Sequence, residues 1–368
     1  MTSCTLFSAD VEQVREAARS GNGAAGPAAG IDVVVPCYQY GHLLRGCVTS
    51  ILTQGMDHIR VLIIDNASGD DSAEVARQLA VEDARVEVVA RRRNLGLHAS
   101  FNEGIDWASS AYFVVLCADD LLAPGALARA VAVMERHDEV AFAFGRAALV
   151  RPQDAMPRLH LDPLAAPWQI IHGQEVLERF CRDGVDHVPG PSAVLARTAA
   201  QKRAGYYRSK LPHSTDFEMW MRLARLGAVA KTEACQTVLR LHRYSQAGRA
   251  ARDYTGARQP AMPWEDEAAF DSFFAHEGTA LPDASRLHRL AQRSVGERAY
   301  WAAVAHLCRG QFGAAAELLK FALTRRPTSA LLPPLSYLWR RDDAALRISE
   351  VLSGLVRWRR VPACYRAR

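Results

Sequence analysis

The sequence predicts an α/β fold: a mostly parallel sheet with flanking helices, followed by an α-helical C-terminal extension. Three observations carry that expectation. Short apolar runs without polar alternation, such as residues 31–36 and 111–117, have the pattern of strands buried on both faces of a parallel sheet. Stretches of helical length separate them, and repeated strand–helix units dictate parallel strands joined by right-handed crossovers. Beyond Pro260 such runs cease and the chain reads as helix.

The elements follow in order. Residues 10–19 have amphipathic helical spacing, and residues 21–30 form a Gly/Ala linker. Strands are expected at 31–36, 59–65, 86–90, 111–117 and 140–144, with helices at 43–53, 72–81, 98–108 and 124–137. Residues 298–327 read as a helix, a Gly310-Gln311-Phe312-Gly313 turn, a second helix and a terminating Pro327, which resembles one tetratricopeptide-like hairpin. One such unit cannot bury its face alone, so it packs on the rest of the chain or on a partner.

Composition bounds the function classes. The 368 residues are 49 % hydrophobic, with a mean hydropathy of −0.10, enough for a large core. Eight scattered cysteines without a CxxC pair argue for free thiols in a reducing compartment. The N-terminus carries Asp10 and Glu12 instead of a basic then apolar signal, and no run reaches the roughly 20 apolar residues of a membrane span. A cytoplasmic protein is expected. From Ser285 to Arg368 there are 16 Lys and Arg against 5 Asp and Glu, a balance of +11. The preceding 284 residues, with 29 against 35, carry −6. Such a tail suits an acidic surface, or simply solvates the outer faces of helices.

The residues able to do chemistry lie at strand ends, where open α/β sheets bind ligands. The run Val114-Val115-Leu116-Cys117-Ala118-Asp119-Asp120 ends in two carboxylates that offer oxygen ligands to a hard divalent cation. Alternatively the acids are solvated, and one caps the helix beginning near Pro124. Pro36 breaks the first strand, and Tyr38 beyond it presents a flat ring suited to stacking on a base. Asp65 closes the second strand, placed to accept hydrogen bonds from a ligand N–H, while Asp70 and Asp71 suit capping. The third strand leads through Arg91-Arg92-Arg93 into Asn94-Leu95-Gly96. Cation and glycine there let the backbone approach a diphosphate, though a basic triplet also makes an ordinary solvated turn.

Four blocks stand in order: Pro36-Cys37-Tyr38, Ile64-Asp65-Asn66-Ala67-Ser68, Asn94-Leu95-Gly96 with Asn102-Glu103-Gly104, and Ala118-Asp119-Asp120. In that order and spacing, residues 31–145 resemble the nucleotide-binding half of family 2 glycosyltransferases, which have the GT-A fold. The resemblance implies a GT-A domain over 31–258, with a nucleotide-sugar half at 31–145 and an acceptor half at 146–258. Residues 1–30 would then be an N-terminal helix and flexible linker, and 259–368 a basic helical region containing the hairpin. Pro36, Tyr38, Asp65, Arg93, Asn94, Gly96 and Asp119 would bind the nucleotide sugar, Tyr38 and Asp65 at its base and Asp119 at ribose or metal. Asp120 would ligate Mn2+ or Mg2+. Members often carry an additional Asp where Cys117 stands.

The second half extends the likeness. The stretch from His213 to Leu223 resembles the family's Glu-Asp-x-[Asp/Glu]-x-Trp segment, whose Asp is the base, with Thr215 in place of the usual Glu. Asp216 is therefore the expected base; a carboxylate taking the acceptor hydroxyl's proton is worth about 10²–10⁴ in rate. Asp216 also has the chemistry of an N-cap for a helix at 217–226, and both roles are compatible. The stretch from Val238 to Ser245 resembles the family's closing strand and loop, which puts His242 at the metal or pyrophosphate. Ser192, in Pro189-Gly190-Pro191-Ser192, and Trp220 are expected on the acceptor side.

The function implied is an inverting transfer of sugar from a nucleoside diphosphate sugar, UDP- or GDP-linked, to a hydroxyl of a glycan or lipid-linked acceptor. Surface polysaccharide or glycoconjugate synthesis would use such a step. No nucleic acid partner is expected. Trp339, Leu352, Leu355 and Trp358 among arginines form a basic amphipathic surface for the anionic inner face of a membrane, or pack as ordinary helices. A dehydrogenase is disfavoured because no GxGxxG follows the first strand. A nucleotidyltransferase would show a Gly-rich, Arg/Lys-containing loop there. A catalytically inactive GT-A domain, acting as a scaffold through its helical tail, is the alternative that metal-dependent turnover separates.

Overall fold

The computed structural model describes residues 30–150, 154, 167–184, 192, 194–211, 214–240 and 263–339. Its first four strands, β1 (Ile31–Cys37), β2 (Ile59–Asp65), β3 (Val86–Ala90) and β4 (Tyr112–Val115), are parallel. Helices α1 (Gly41–Leu52), α2 (Ser72–Glu82) and α3 (Leu97–Trp107) make the crossovers. All seven residues of β1 are buried, as a central strand covered on both faces requires. In α1, Leu44, Cys47, Val48 and Ile51 are buried, the i, i+3, i+4, i+7 stripe that faces a sheet.

Beyond β4 come the two-residue β5 (Leu121–Leu122), α4 (Ala126–Arg136), β6 (Val140–Val150), β7 (Gln169–Ile171) and α5 (Gly173–Asp183). They are followed by β8 (Val194–Arg197), α6 (Thr198–Ala204), α7 (Thr215–Ala224) and β9 (Ala228–Arg240). The sheet order is β3-β2-β1-β4-β8-β6-β9-β5, with β7 also paired to β9. It is a mixed sheet: β8 lies antiparallel between β4 and β6, whereas β6 and β9 run parallel. Register shifts between Val140 and Ala147 mark irregular pairing along β6 and β9.

Two sequence expectations change in detail. Pro36 does not break β1, which runs on to Cys37 with Pro36 opposite Ile64. The Pro36 carbonyl accepts from Ala118 N at 3.3 Å, so its missing N–H faces the side where β4 has already ended. β4 itself stops at Val115 rather than at 117, although Leu116 N still reaches Val34 O at 3.0 Å, because the chain turns at Cys117.

The edge of the sheet away from these strand ends is fixed by a buried charge. Asp32 accepts from Ser109 N at 2.6 Å, from Ser110 N and Oγ at 2.7 Å each, and from Arg60 Nε at 2.8 Å. Burial works against ionisation there, but these hydrogen bonds, Arg60's first, hold the carboxyl below its ordinary range. Helix α3 lies so close to β1 that a Cβ on Gly104 would meet Val34 side-chain atoms at 2.7 Å.

The chain divides into two compact units. The first comprises Met1–Gly173, Pro189–Ser209 and Leu223–His242, and so contains the sheet. The second comprises Gln174–Val188, Lys210–Arg222 and Arg243–Arg368. It thus takes in segments that the sequence reading groups with the acceptor half. Its helices include α8 (Pro263–Ala275), α9 (Ala284–Cys308), α10 (Phe312–Arg325) and α11 (Leu335–Trp339). Ala299 and Ala303 of α9 pack on Leu318 and Ala322 of α10, and Gly310 takes φ +75 in the turn that joins them. No helix among the described residues is long and apolar enough to cross a membrane.

Candidate active site

The chain winds outward from β1 to β3 and then returns to place β4 on the other side of β1. That reversal makes the carboxyl ends of β1 and β4 a topological switch point, the crevice where open α/β sheets take ligands. Tyr38 follows β1 and is 44 % exposed, while Asp65, opposite Cys37 at the end of β2, is buried. Asp65 Oδ2 accepts from Ser68 N at 3.2 Å, but Oδ1 is enclosed with no partner among the described residues. An enclosed oxygen with an open lone pair, beside an exposed ring, is a place for a planar group carrying an N–H.

The two loops around this spot are bound to each other. Gln39 N donates to Ser68 Oγ at 2.8 Å, Tyr40 N to Ser72 Oγ at 3.1 Å, and Gly41 N to Asp70 Oδ2 at 3.2 Å. Asp70 Oδ1 also accepts from Ser72 N at 3.1 Å, so one carboxylate serves the N-termini of both α1 and α2. Asp71 occupies the N-cap position of α2 without a side-chain cap bond.

Arg93, Asn94 and Gly96 lie in the exposed loop after β3. Asn94 Oδ1 accepts from Asn66 Nδ2 at 2.7 Å and Gly96 N at 2.8 Å, which folds the loop back on the end of β2. Gly96 takes φ +85 to allow this. The arginine that turns inward is Arg91, bonded to Asn66 Oδ1 at 3.0 Å, Ser100 Oγ at 3.1 Å and the Glu103 carboxylate. Nothing in a run of three arginines signals which one does so. The neighbouring family block also serves structure: Asn102 exchanges two hydrogen bonds with the Tyr207 backbone, at 2.8 and 3.1 Å.

The acidic turn after β4 is tight. Asp120 N donates to Cys117 O at 2.9 Å, and the side chains of Cys117, Asp119 and Asp120 converge, their ligand atoms within 4.8 Å of one another. Asp119 and Asp120 are 8 % and 7 % exposed. Ser192 clamps the turn: its Oγ accepts from Cys117 N at 3.2 Å and donates to Asp120 Oδ2 at 2.6 Å. Ser192, expected on the acceptor side, is thus bonded to the acidic turn. Arg240 N donates to Asp120 Oδ1 at 3.3 Å, while Arg240 Nη1 is buried with no partner among the described residues. Burial first, and the Asp119 charge second, push the Asp120 carboxyl up. Two adjacent carboxylates withdrawn from water are costly without a cation, so this donor set fits a hard divalent ion.

Asp216 belongs to the second unit. Helix α7 begins at Thr215, so Asp216 lies in its first turn, and Ser214 precedes the helix with its carbonyl accepting from Glu218 N at 3.1 Å. The N-cap role expected of Asp216 therefore does not hold. Asp216 Oδ1 is enclosed without a partner among the described residues, and burial raises the carboxyl to about 7. Glu218, two residues on, is fully buried in an ion pair with Arg222 at 2.8 Å, which leaves it no part as a proton acceptor. Trp220 is 2 % exposed, enclosed rather than set on an open wall. His242 lies outside the described residues, as do Pro189, Gly190 and Pro191.

Residues 32–203 match the family model described as glycosyl transferase family 2. This stretch, just under half of the chain, resembles a family 2 glycosyltransferase domain. Among curated proteins, it is 20 % identical over 221 residues, 58 % of its length, to an uncharacterized glycosyltransferase of Haemophilus influenzae. It is 34 % identical over 92 residues, 25 % of its length, to glycosyltransferase GlyG of Streptococcus pneumoniae. These stretches span 65 % and 31 % of the two relatives. Staphylococcus aureus TarS 1–349, solved in complex with UDP-GlcNAc, superposes with a TM-score of 0.58 at 12 % identity, over 89 % of each chain. The mannosyltransferase PcManGT from Pyrobaculum calidifontis, in complex with GDP-Man and Mn2+, gives 0.52 at 17 %, over 96 % of this chain and 97 % of that one. These likenesses show the fold of the sheet-bearing domain, which is GT-A.

Proposed function

We propose that the protein is an inverting, metal-dependent glycosyltransferase that moves a sugar from a nucleoside diphosphate sugar to a hydroxyl of a glycan or lipid-linked acceptor. The observation that carries this reading is the buried Asp119–Asp120 pair at the switch point between β1 and β4. Tyr38 and Asp65 receive the base, Tyr38 by stacking and Asp65 through its open Oδ1. Arg93, on its exposed loop, and Arg240, through its unpartnered Nη1, lie toward the diphosphate. Asp119 and Asp120 would hold Mn2+ or Mg2+, which when bound offsets charge on the departing diphosphate as a Lewis acid. Ser192 holds Asp120 in place for that contact.

Asp216 supplies the base. A carboxyl raised to about 7 is matched to accepting a proton near neutral pH, and its open Oδ1 has a lone pair for a hydroxyl. The bound nucleotides of the two solved neighbours, UDP-GlcNAc and GDP-Man, support a donor of this class. A panel of UDP- and GDP-sugars, scored for Mn2+-dependent thermal stabilisation and hydrolysis, tests the proposal. One donor should stabilise the protein only with metal present; a flat panel with and without Mn2+ contradicts it.

A further inference from the structure

Among the described residues, one cluster of three metal-capable side chains exists, and one of the three is a sulfur: Cys117 with Asp119 and Asp120. Resting on the reading of this turn as the cation site, we propose that Cys117 is a third protein ligand, which makes the site partly soft. The site would then hold Zn2+, Co2+ or Cd2+ more tightly than a carboxylate-only site does.

The backbone that carries the thiol is held firmly in the turn. Cys117 is held at both ends of its peptide: its N–H donates to Ser192 Oγ at 3.2 Å, and its carbonyl accepts from Asp120 N at 2.9 Å. The buried Cys47 thiol also donates to that carbonyl at 3.6 Å. Ser192 bonds to Asp120 as well, so one hydroxyl fixes the relative position of two of the three ligands. The sulfur and the carboxylate oxygens consequently lie within 4.8 Å of one another, within reach of a single ion.

A second observation points to a charged ligand here. The Arg240 charge acts on both Asp119 and Asp120, and its Nη1 is enclosed without a partner among the described residues. Gly46 lies beside that guanidinium, its Cβ position at an ordinary contact distance of 3.5 Å from Nη2. An arginine nitrogen kept open beside two acids suits an anionic oxygen arriving with a cation. Thiolate favours borderline and soft ions, whereas carboxylate and water favour Mg2+ and Mn2+. On ligation the S–H bond is replaced by an S–metal bond, and the proton leaves to solvent.

Cobalt titration of the full chain tests the assignment, because a thiolate–Co2+ bond produces a near-ultraviolet charge-transfer absorption that carboxylates do not. The native protein should develop this band in proportion to bound cobalt, Zn2+ should abolish it, and Cys117→Ser should lack it at an unchanged melting temperature. Cys117→Asp should shift the Zn2+-over-Mg2+ preference towards Mg2+ by about tenfold or more. No band in the native protein, or a band undiminished in Cys117→Ser, overturns the proposal. Calorimetry of UDP and GDP with Mn2+ on the same preparations keeps the two readings apart. Metal-dependent nucleotide binding without the band overturns the sulfur ligand alone, whereas absence of such binding overturns the cation site itself.

Discussion

At Asp216, one enclosed oxygen links the proposed chemistry to stability. Its carboxyl sits at about 7 in the folded chain, against an ordinary value of 3.8. The native state therefore disfavours the charged form, and stability is lost as pH rises from about 4 to about 7. Asp216→Asn carries no such penalty. It should match the native melting temperature at pH 4 and exceed native stability by about 2–4 kcal/mol at pH 8. Its transfer rate should fall by about 10²-fold or more, and the acidic limb expected of native activity near pH 7 should vanish. Thermal melts across pH, with rates on the same samples, check both halves; an Asn variant with native rate and native pH dependence removes Asp216 from the chemistry. This residue was legible in the sequence through its motif, but its position in the helix was not. Nothing in His213-Ser214-Thr215-Asp216 shows which hydroxyl or acid precedes the first turn. Likewise Ser192 reads as one hydroxyl among prolines until the fold brings it to Asp120.

Among elements, the parallel strands β1 and β2 follow closely from their apolar runs, because a strand covered on both faces leaves no other pattern. β8 and the pairing of β6 with β9 were harder to read. Val194-Leu195-Ala196-Arg197 is too short to carry a period, and its partners are distant in sequence. Gly104 has a clear local sign. In an exposed helix interior, Gly to Ala gains about 1 kcal/mol. Here the new Cβ would strike Val34 at 2.7 Å, so Gly104→Ala should destabilise by about 1–3 kcal/mol in chemical denaturation. A gain in stability would show that α3 and β1 are not so tightly apposed. In α7, Arg222→Met should cost about 3–5 kcal/mol by leaving the Glu218 carboxylate buried without the guanidinium. Glu218→Leu combined with Arg222→Met should recover most of that loss; a double variant as unstable as the single one would assign the cost to packing.

For the whole molecule, the sequence carried the GT-A architecture and the helical extension, because the motif blocks, apart from Asn102–Gly104 in α3, fall at strand ends and strand ends share one edge. The charge contrast between −6 and +11 was equally plain, yet the residues from 340 onward that hold much of it lie outside the described ones. The central claim is that the Asp119–Asp120 turn binds a cation that in turn binds a nucleoside diphosphate. Asp120→Asn is the suitable probe, since it keeps an acceptor for Ser192 and Arg240 N while removing the charge. Titration calorimetry of UDP and GDP, with and without Mn2+, on the native chain and this variant tests the claim most directly. The native chain should bind one of the two nucleotides only when Mn2+ is present, and Asp120→Asn should bind it at least about tenfold more weakly at an undiminished melting temperature. Equal affinity in the variant, or native binding indifferent to the metal, would contradict the account.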